Sequence, residues 1–419
     1  MTKNMIEEST DLYVERGETV LKLITKNSTP PSKVTYSMPV NYGDQVPLLL
    51  KIEEDTSSKI NGYNIIDDKN SPNKLIIFNV DSLEKHEKIT IHFTYWVLIK
   101  NHKYQDVPKD TRIPKENELP DDVKKWLLST KSIQSDNLLI RIMARLIRGY
   151  TNNLLNLVKK IAFYIAYNRP ILTGIRRLLE SKAFLRNNFL PPKYWTGLCD
   201  AFSTLLFGGL CTSQVNLGVA LLRANGVPAR VLIVNPIFSH GRQFDWLDSL
   251  HYAIEFYMPN YGWIRAEPGR ILRRPKNLII IRIIYPEEEY IAGNGLSYYG
   301  GKEPWFWFSN KNIILDFPED LITYYKKPKG SGVPATSRNI VSKVKAKKEI
   351  ANKIFILSQN SWEIYVNFFG KRLNSNYSNK YETAIEFQKQ ALEDLINSEI
   401  KNSIKNMKKA YDLFKEINM

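Results

Sequence analysis

The 419-residue sequence is poor in cysteine and histidine, with two cysteines, Cys199 and Cys211, and five histidines. Two cysteines exclude the disulfide framework of small secreted domains and fit a reducing compartment. Long apolar runs are missing as well. Stretches such as Leu278-Ile279-Ile280-Ile281 and Val219-Ala220-Leu221-Leu222 fall far short of the ~20 residues a membrane helix needs. The opening residues, MTKNMIEESTDLYVERGE, carry no apolar h-region, so no secretory signal is expected and the protein reads as soluble and cytoplasmic. There is no zinc-finger spacing, no Gly-rich phosphate loop, no RNP-like aromatic strand and no internal repeat. Acidic residues are also short: 43 Asp and Glu face 59 Lys and Arg, a net charge of +16. Without a nucleic-acid motif beside it, that surplus reads as a solvated basic surface, and nucleic acid is not the expected partner.

What is present supports packed cores, with 43% hydrophobic and 12% aromatic residues over a length that suits two or three domains. Residues 1–105 read as an N-terminal β-sandwich. Short strand-like runs at 12–14, 19–24, 48–52, 74–78 and 89–99 alternate with turn clusters at 15–18, 27–32, 41–44 and 67–73. Residues 106–120, charged and with three prolines, read as a linker. A central region, 121–325, opens on helical periodicity over 138–166, where Leu139, Ile142, Met143, Leu146, Leu154, Leu157, Val158, Ile161 and Ile165 recur at three and four. Residues 171–194 read as a basic helical insertion carrying Arg176, Arg177, Lys182, Arg186 and Lys193, with Arg169 just before it and one acid, Glu180. Such a segment beside a rigid core is expected to border a cleft and to select acidic or anionic substrates. Residues 326–337 read as a flexible basic linker, and 338–419 as helical and rich in Lys and Glu, a small bundle suited to binding a protein partner.

The chemistry concentrates in two blocks. In GGLCTSQVNLGVALLRANGVPAR, residues 208–230, Leu217, Val219, Leu221 and Leu222 give an apolar helix that Gly226-Val227-Pro228 ends, since Gly suits the position after a helix and Pro cannot continue one. Arg230 to Val234 then reads as a buried strand. Cys211 falls at the helix N-terminus, where unpaired N–H groups and the macrodipole favour a thiolate. Gly208 and Gly209 allow a tight entry and a close approach to substrate. Cys199, inside TGLCDAFSTLLF, reads as a small buried hydrophobe. In HYAIEFYMPNYGWIRAEP, residues 251–268, two strands flank a turn at 259–262. A regular hairpin would then set His251 beside Glu267, the carboxylate holding the imidazole in one tautomer. Nucleophile, base and orienting acid are the groups a thiolate acyl-transfer enzyme needs.

These segments resemble the transglutaminase-like superfamily, with its papain-like Cys-His-Asp/Glu core, in a member of prokaryotic type. The Gly-x-Cys falls on Gly209-Leu210-Cys211, and the family's helix end on Leu221 to Arg230. His251 and Glu255 follow, then Gly262-Trp263, with the acid on Glu267 before Pro268. Glu267 stands where the family has Asp, and Tyr252-Ala253 where it has Ala-Trp. The resemblance implies an α+β fold, a nucleophile helix packed on an antiparallel sheet, and a catalytic core over 121–325. It implies catalytic Cys211, His251 and Glu267, with Tyr194, Trp195, Gly209 and Tyr252 as candidate substrate or oxyanion contacts. No cofactor or metal is called for. The acidic loops that bind calcium in the family's cross-linking enzymes are missing, and two cysteines twelve apart cannot build the paired Cys-x-x-Cys zinc sites of the peptide N-glycanase branch.

The expected activity is attack of Cys211 on a peptide or amide carbonyl, a thioester, and resolution by water, the default acceptor. Transfer to an amine is the alternative, and a degenerate peptide-binding scaffold the third. Glu255, Arg223 and Arg230 are expected to brace the core. His240 is expected to be solvated, and His86, His92 and His102 to be structural or exposed.

Overall fold

The computed structural model describes residues 9–54, 59–68, 72–101, 107–167, 200–208, 211–236, 251–266, 278–289, 306–310, 312–315, 335–371 and 375–418. The fold is α+β with antiparallel sheets throughout, as the sequence suggests.

Two sheets build the N-terminal layers. In the first, β1 (Ser9–Thr25) lies between β6 (Lys88–Asn101) and two later strands, β12 (Ile313–Leu315) and β13 (Ala335–Lys347), with β3 (Gln45–Glu54) beyond β6. In the second, β2 (Ser32–Ser37) pairs β5 (Lys74–Val80) and β11 (Phe306–Phe308), and β4 (Ile60–Asp67) closes the other edge. Tyr36, Phe78 and Phe93 are fully buried in the shared core, with Tyr36 edge-on to Phe93 at 4.8 Å. Each such ring contributes about 1.5–3 kcal/mol by burial.

Sequence reasoning splits β1 at residues 15–18, where charge and glycine suggest a turn. The strand runs through, with one bulge between Val14 and Glu15, because Glu15, Gly17 and Glu18 each meet a residue of a neighbouring strand, while Arg16 pairs with Glu18 along the same strand. Glu15 pairs with the buried Arg338 of β13, Glu18 with His92, and Gly17 leaves the space that the Tyr95 ring fills. A second difference concerns 335–347, expected as a linker end and a helix start. It is a strand laid along β1, and its burial pattern follows partners more than 300 positions away.

The C-terminal helices then pack back on this sheet: α6 (Lys348–Phe368) on β3 and β1, α7 (Ser375–Ile396) on β13, and α8 (Ile400–Asn418) on α6 and α7. (Helices α1 to α5 are Asp121–Lys124, Leu138–Arg148, Leu154–Tyr167, Ala201–Phe207 and Cys211–Arg223.) The Tyr365 hydroxyl donates to the Leu50 carbonyl at 3.1 Å, and Gln388 donates to Leu48.

A third sheet, in the order β10-β7-β8-β9, carries the central region: β7 is Ala229–Pro236, β8 His251–Met258, β9 Gly262–Ala266 and β10 Leu278–Ile284. The outer edge of β10 meets the N-terminal layers. Gln45 accepts from Ile280 N at 2.7 Å and donates to Ile280 O at 2.8 Å. Asn73 does the same at Ile283, at 2.9 and 2.8 Å. Two side-chain amides thus stand in for a neighbouring strand and satisfy an edge that would otherwise stay open.

Candidate active site

Both ends of α5 are set by local chemistry. Asp200 caps α4, accepting from Ser203 N at 2.9 Å, and Gly208 ends that helix at a φ of +72°. Cys211 then opens α5. At the far end Gly226, φ +79°, closes the helix, with Val227 N bonded to Leu222 O at 3.0 Å. Arg223, fully buried, fastens that end to the sheet. It donates to the carbonyls of Ala229 (2.9 Å) and Leu128 (2.7 Å) and to both carboxylate oxygens of Glu289 (2.5 and 3.1 Å).

Because Ala229 begins β7 and pairs with Phe256 near the end of β8, the C-terminal end of α5 lies at the C-terminal end of β8. The helix therefore runs in the direction of β8. Gly218 is the contact point, since a methyl there would stand 2.5 Å from Ile254 Cδ1 and 3.1 Å from Ile165 Cδ1. Cys211 precedes Gly218 by about 10 Å of helix at 1.5 Å per residue. His251 precedes Ile254 by about 10 Å of strand. The head of the helix and the head of the strand thus share one end of the layer.

The two faces of this sheet differ. Tyr252, Ile254, Phe256 and Ile264 belong to the large core under α5, and Tyr252 is buried among them. His251, half-buried, opens β8 with Val234 as its cross-strand partner, and further along the strand Ala253 and Glu255 take the opposite face from Ile254. That face holds a buried charge cluster. Arg230 donates to Glu255 Oε2 from Nε at 2.9 Å and from Nη2 at 2.6 Å, while Arg265 Nε lies 3.9 Å from the other oxygen. The Arg230 guanidinium lies 4.0 Å from the Trp263 ring centroid and 5.1 Å from those of Trp126 and Tyr42. Its Nη2 also donates to the Tyr42 hydroxyl at 2.5 Å. Burial, and then the negative charge of Glu255, push the Tyr42 phenol well above its usual range, so it stays neutral and accepts from Arg230.

The bracing roles expected of Glu255, Arg223 and Arg230 are thus what their contacts show. Sequence reasoning misses their partners Tyr42, Trp126 and Glu289. Only an aromatic or acidic residue type marked them, and their meeting depends on contacts 66 to 213 positions apart. His92, expected to be structural or exposed, is partly exposed, with Glu18 Oε1 2.6 Å from Nε2 and Glu53 Oε2 3.2 Å from Nδ1.

The hairpin register also differs from the sequence arithmetic. The described rungs run from Met258↔Gly262 to Ile254↔Ala266, two residues offset from a ladder that pairs His251 with Glu267. The ladder turns about Asn260, at φ +61°, one residue later than a ladder that pairs His251 with Glu267 would require. Glu267, Tyr194, Trp195, Gly209, Cys199, His102, His240 and the basic insertion 171–194 lie outside the described residues. Among the described residues, no group of three or more His, Cys, Asp or Glu is placed to hold a metal ion.

Comparisons place this segment among known proteins. A family model described as the transglutaminase-like superfamily matches residues 185–268. No curated protein matches the chain. Among solved structures, a candidate cysteine protease from Cytophaga hutchinsonii is similar at 14% identity and a TM-score of 0.48, over 79% of this chain and 99% of that one. A candidate protease from Parabacteroides distasonis is similar at 14% identity and a TM-score of 0.22, over 60% of this chain and 43% of that one. At that identity and those scores, neither bears on the chemistry. The resemblance to the transglutaminase-like superfamily holds over 185–268, the stretch that contains Cys211, His251 and Glu267.

Proposed function

We propose that the protein is a cysteine-dependent acyl-transfer enzyme acting on peptide or amide bonds in the cytoplasm, with hydrolysis as its main outcome. The observation that carries this reading is the alignment of the head of α5 with the head of β8, each about 10 Å from the Gly218–Ile254 contact. In this reading His251 takes the Cys211 proton and Glu267 orients the imidazole. The thiolate attacks the carbonyl carbon, and the Cys211 N–H at the helix start faces the developing oxyanion. The C–N bond breaks as His251 returns its proton to the leaving amine. Water, deprotonated by His251, then attacks the thioester, releasing the acid and restoring the thiolate. The catalytic unit is taken to span 121–325, with the helices of 338–419 available to a protein partner.

Incubation of the protein with a mixed peptide library, with and without an added primary amine, tests the reading by mass spectrometry. Free-acid products lost in a Cys211→Ala variant support hydrolysis. Amide products formed only with the amine would make it a transferase. The absence of any product, together with unchanged peptide binding by Cys211→Ala, would leave a scaffold.

A further inference from the structure

A helical hairpin on the surface has the opposite of the expected polarity. Helix α2 buries Ile140 and Ala144 and turns Leu138, Leu139, Ile142 and Leu146 outward, with Leu138 71% and Leu146 68% exposed. Residues 138, 142 and 146 form one i, i+4 stripe, and Arg141 and Arg145 flank it on the same exposed side. In α3, Phe163 (64% exposed) and Tyr167 (70%) stand outward with their rings 4.7 Å apart, one turn beyond Lys159 and Lys160. Of the thirteen exposed large apolar side chains among the described residues, seven lie within 138–167. The same stretch holds five Arg and Lys and no Asp or Glu.

The face is preformed. Asn137 caps α2 by accepting from Leu139 N at 3.0 Å and Ile140 N at 3.4 Å, Gly149 ends it, and Lys160 Nζ donates to the Arg148 carbonyl at 2.9 Å. No folding step is needed before it binds.

We propose that the α2–α3 hairpin docks the protein on an anionic phospholipid surface. No described helix is long and apolar enough to cross a membrane, so the hairpin would lie in the interface plane. The aliphatic stripe would sit at the headgroup–acyl boundary, and the arginines would bury their stems while reaching lipid phosphates. The composition selects this partner. A second copy of the chain would bring five cations against five. Nucleic acid would use the arginines but gain nothing from a Leu/Ile stripe, since its backbone is recognised by charge and hydrogen bonds. A bilayer with acidic headgroups satisfies both halves of the face.

Co-flotation of the full chain with vesicles tests this. Vesicles of about one-third phosphatidylglycerol in phosphatidylcholine should carry the protein at low salt and lose it at high salt, while pure phosphatidylcholine should not carry it. Ile142→Ser with Leu146→Ser leaves the charge unchanged and should weaken binding at least about tenfold. Arg141→Gln with Arg145→Gln should weaken it roughly 25-fold, about fivefold per cation removed. All four positions lie at the surface, so thermal melting should stay near that of the parent. If either pair alters melting, Leu138→Gln alone gives a second reading of the apolar stripe. Serine variants that bind as well as the parent would assign binding to net charge and overturn the proposal. So would equal binding to neutral vesicles, no binding at all, or displacement from vesicles by duplex DNA that the serine variants bind undiminished.

Discussion

Replacing Glu255 by Ala removes the only carboxylate within reach of Arg230 among its described contacts. The side chains involved are almost fully buried. At an effective dielectric of about 20, a pair separated by 2.6 Å attracts by roughly 6 kcal/mol. Desolvation of the two ions costs several kcal/mol each, so the intact pair adds little net stability. Breaking one side is different, because Arg230 keeps its desolvation cost and retains only the Tyr42 hydroxyl and three ring faces as partners. The expected loss for Glu255→Ala is about 3–5 kcal/mol. Glu255→Gln keeps the shape and one acceptor and should lose about 1.5–3 kcal/mol. Arg230→Met with Glu255→Leu removes both charges and should be far milder than either single truncation. Hydrogen exchange of the β7 and β8 amides, together with the urea midpoint, reads these losses. If Glu255→Ala changes stability by less than about 1 kcal/mol, or if the Arg230→Ala and Glu255→Ala losses simply add, the cluster does not brace the sheet as described.

Gly218→Ala should cost about 1–2 kcal/mol and lower the reactivity of Cys211, because the new methyl meets Ile254 Cδ1 at 2.5 Å. Ile254→Val, which deletes that atom, should restore both in part, and an unaltered double variant would contradict the helix–strand contact. Glu267→Gln should leave the melting curve unchanged and cut turnover by about 10²–10⁴-fold; full activity would remove Glu267 from the mechanism. Burial, opposed by the Asn235 amide that donates to its hydroxyl at 2.8 Å, pushes Tyr95 up to about 12. A folded-state pKa raised above the unfolded value near 10 gives stability that is intact below pH 10 and lost as pH climbs towards 12. Unfolding midpoints measured across that window should fall less steeply in Tyr95→Phe, and an identical slope would show that Tyr95 is not coupled to folding.

The local elements of the site were legible because their signals lie close together in the chain. The apolar spacing through Leu217 to Leu222 and the stop at Gly226-Val227-Pro228 locate α5, and the alternation from His251 to Met258 locates β8. What escaped was anything fixed by distant partners. Glu15, Arg16, Gly17 and Glu18 look like a turn until Arg338, His92 and Tyr95 are placed beside them. Strands β2 and β4 also went unseen. They are interrupted by Ser, Lys, Asn and Gly and become strands through the ladders on either side of β5. The hairpin register differs by two residues because the chain turns about Asn260, at a positive φ, and not about residue 259 as a His251–Glu267 rung requires. The α+β class survived such errors, since it depends on the type of elements rather than on their pairing.

The pairing of Cys211 with His251 is tested most directly by the rate of iodoacetamide alkylation as a function of pH, with each modified cysteine located by mass spectrometry. A thiolate held at a helix start beside an imidazole should react at Cys211 well below pH 8, many times faster than at Cys199. In His251→Ala the Cys211 profile should move up towards the ~8.5 of a free thiol. Equal rates at the two cysteines, or a Cys211 profile indifferent to His251, would contradict the account.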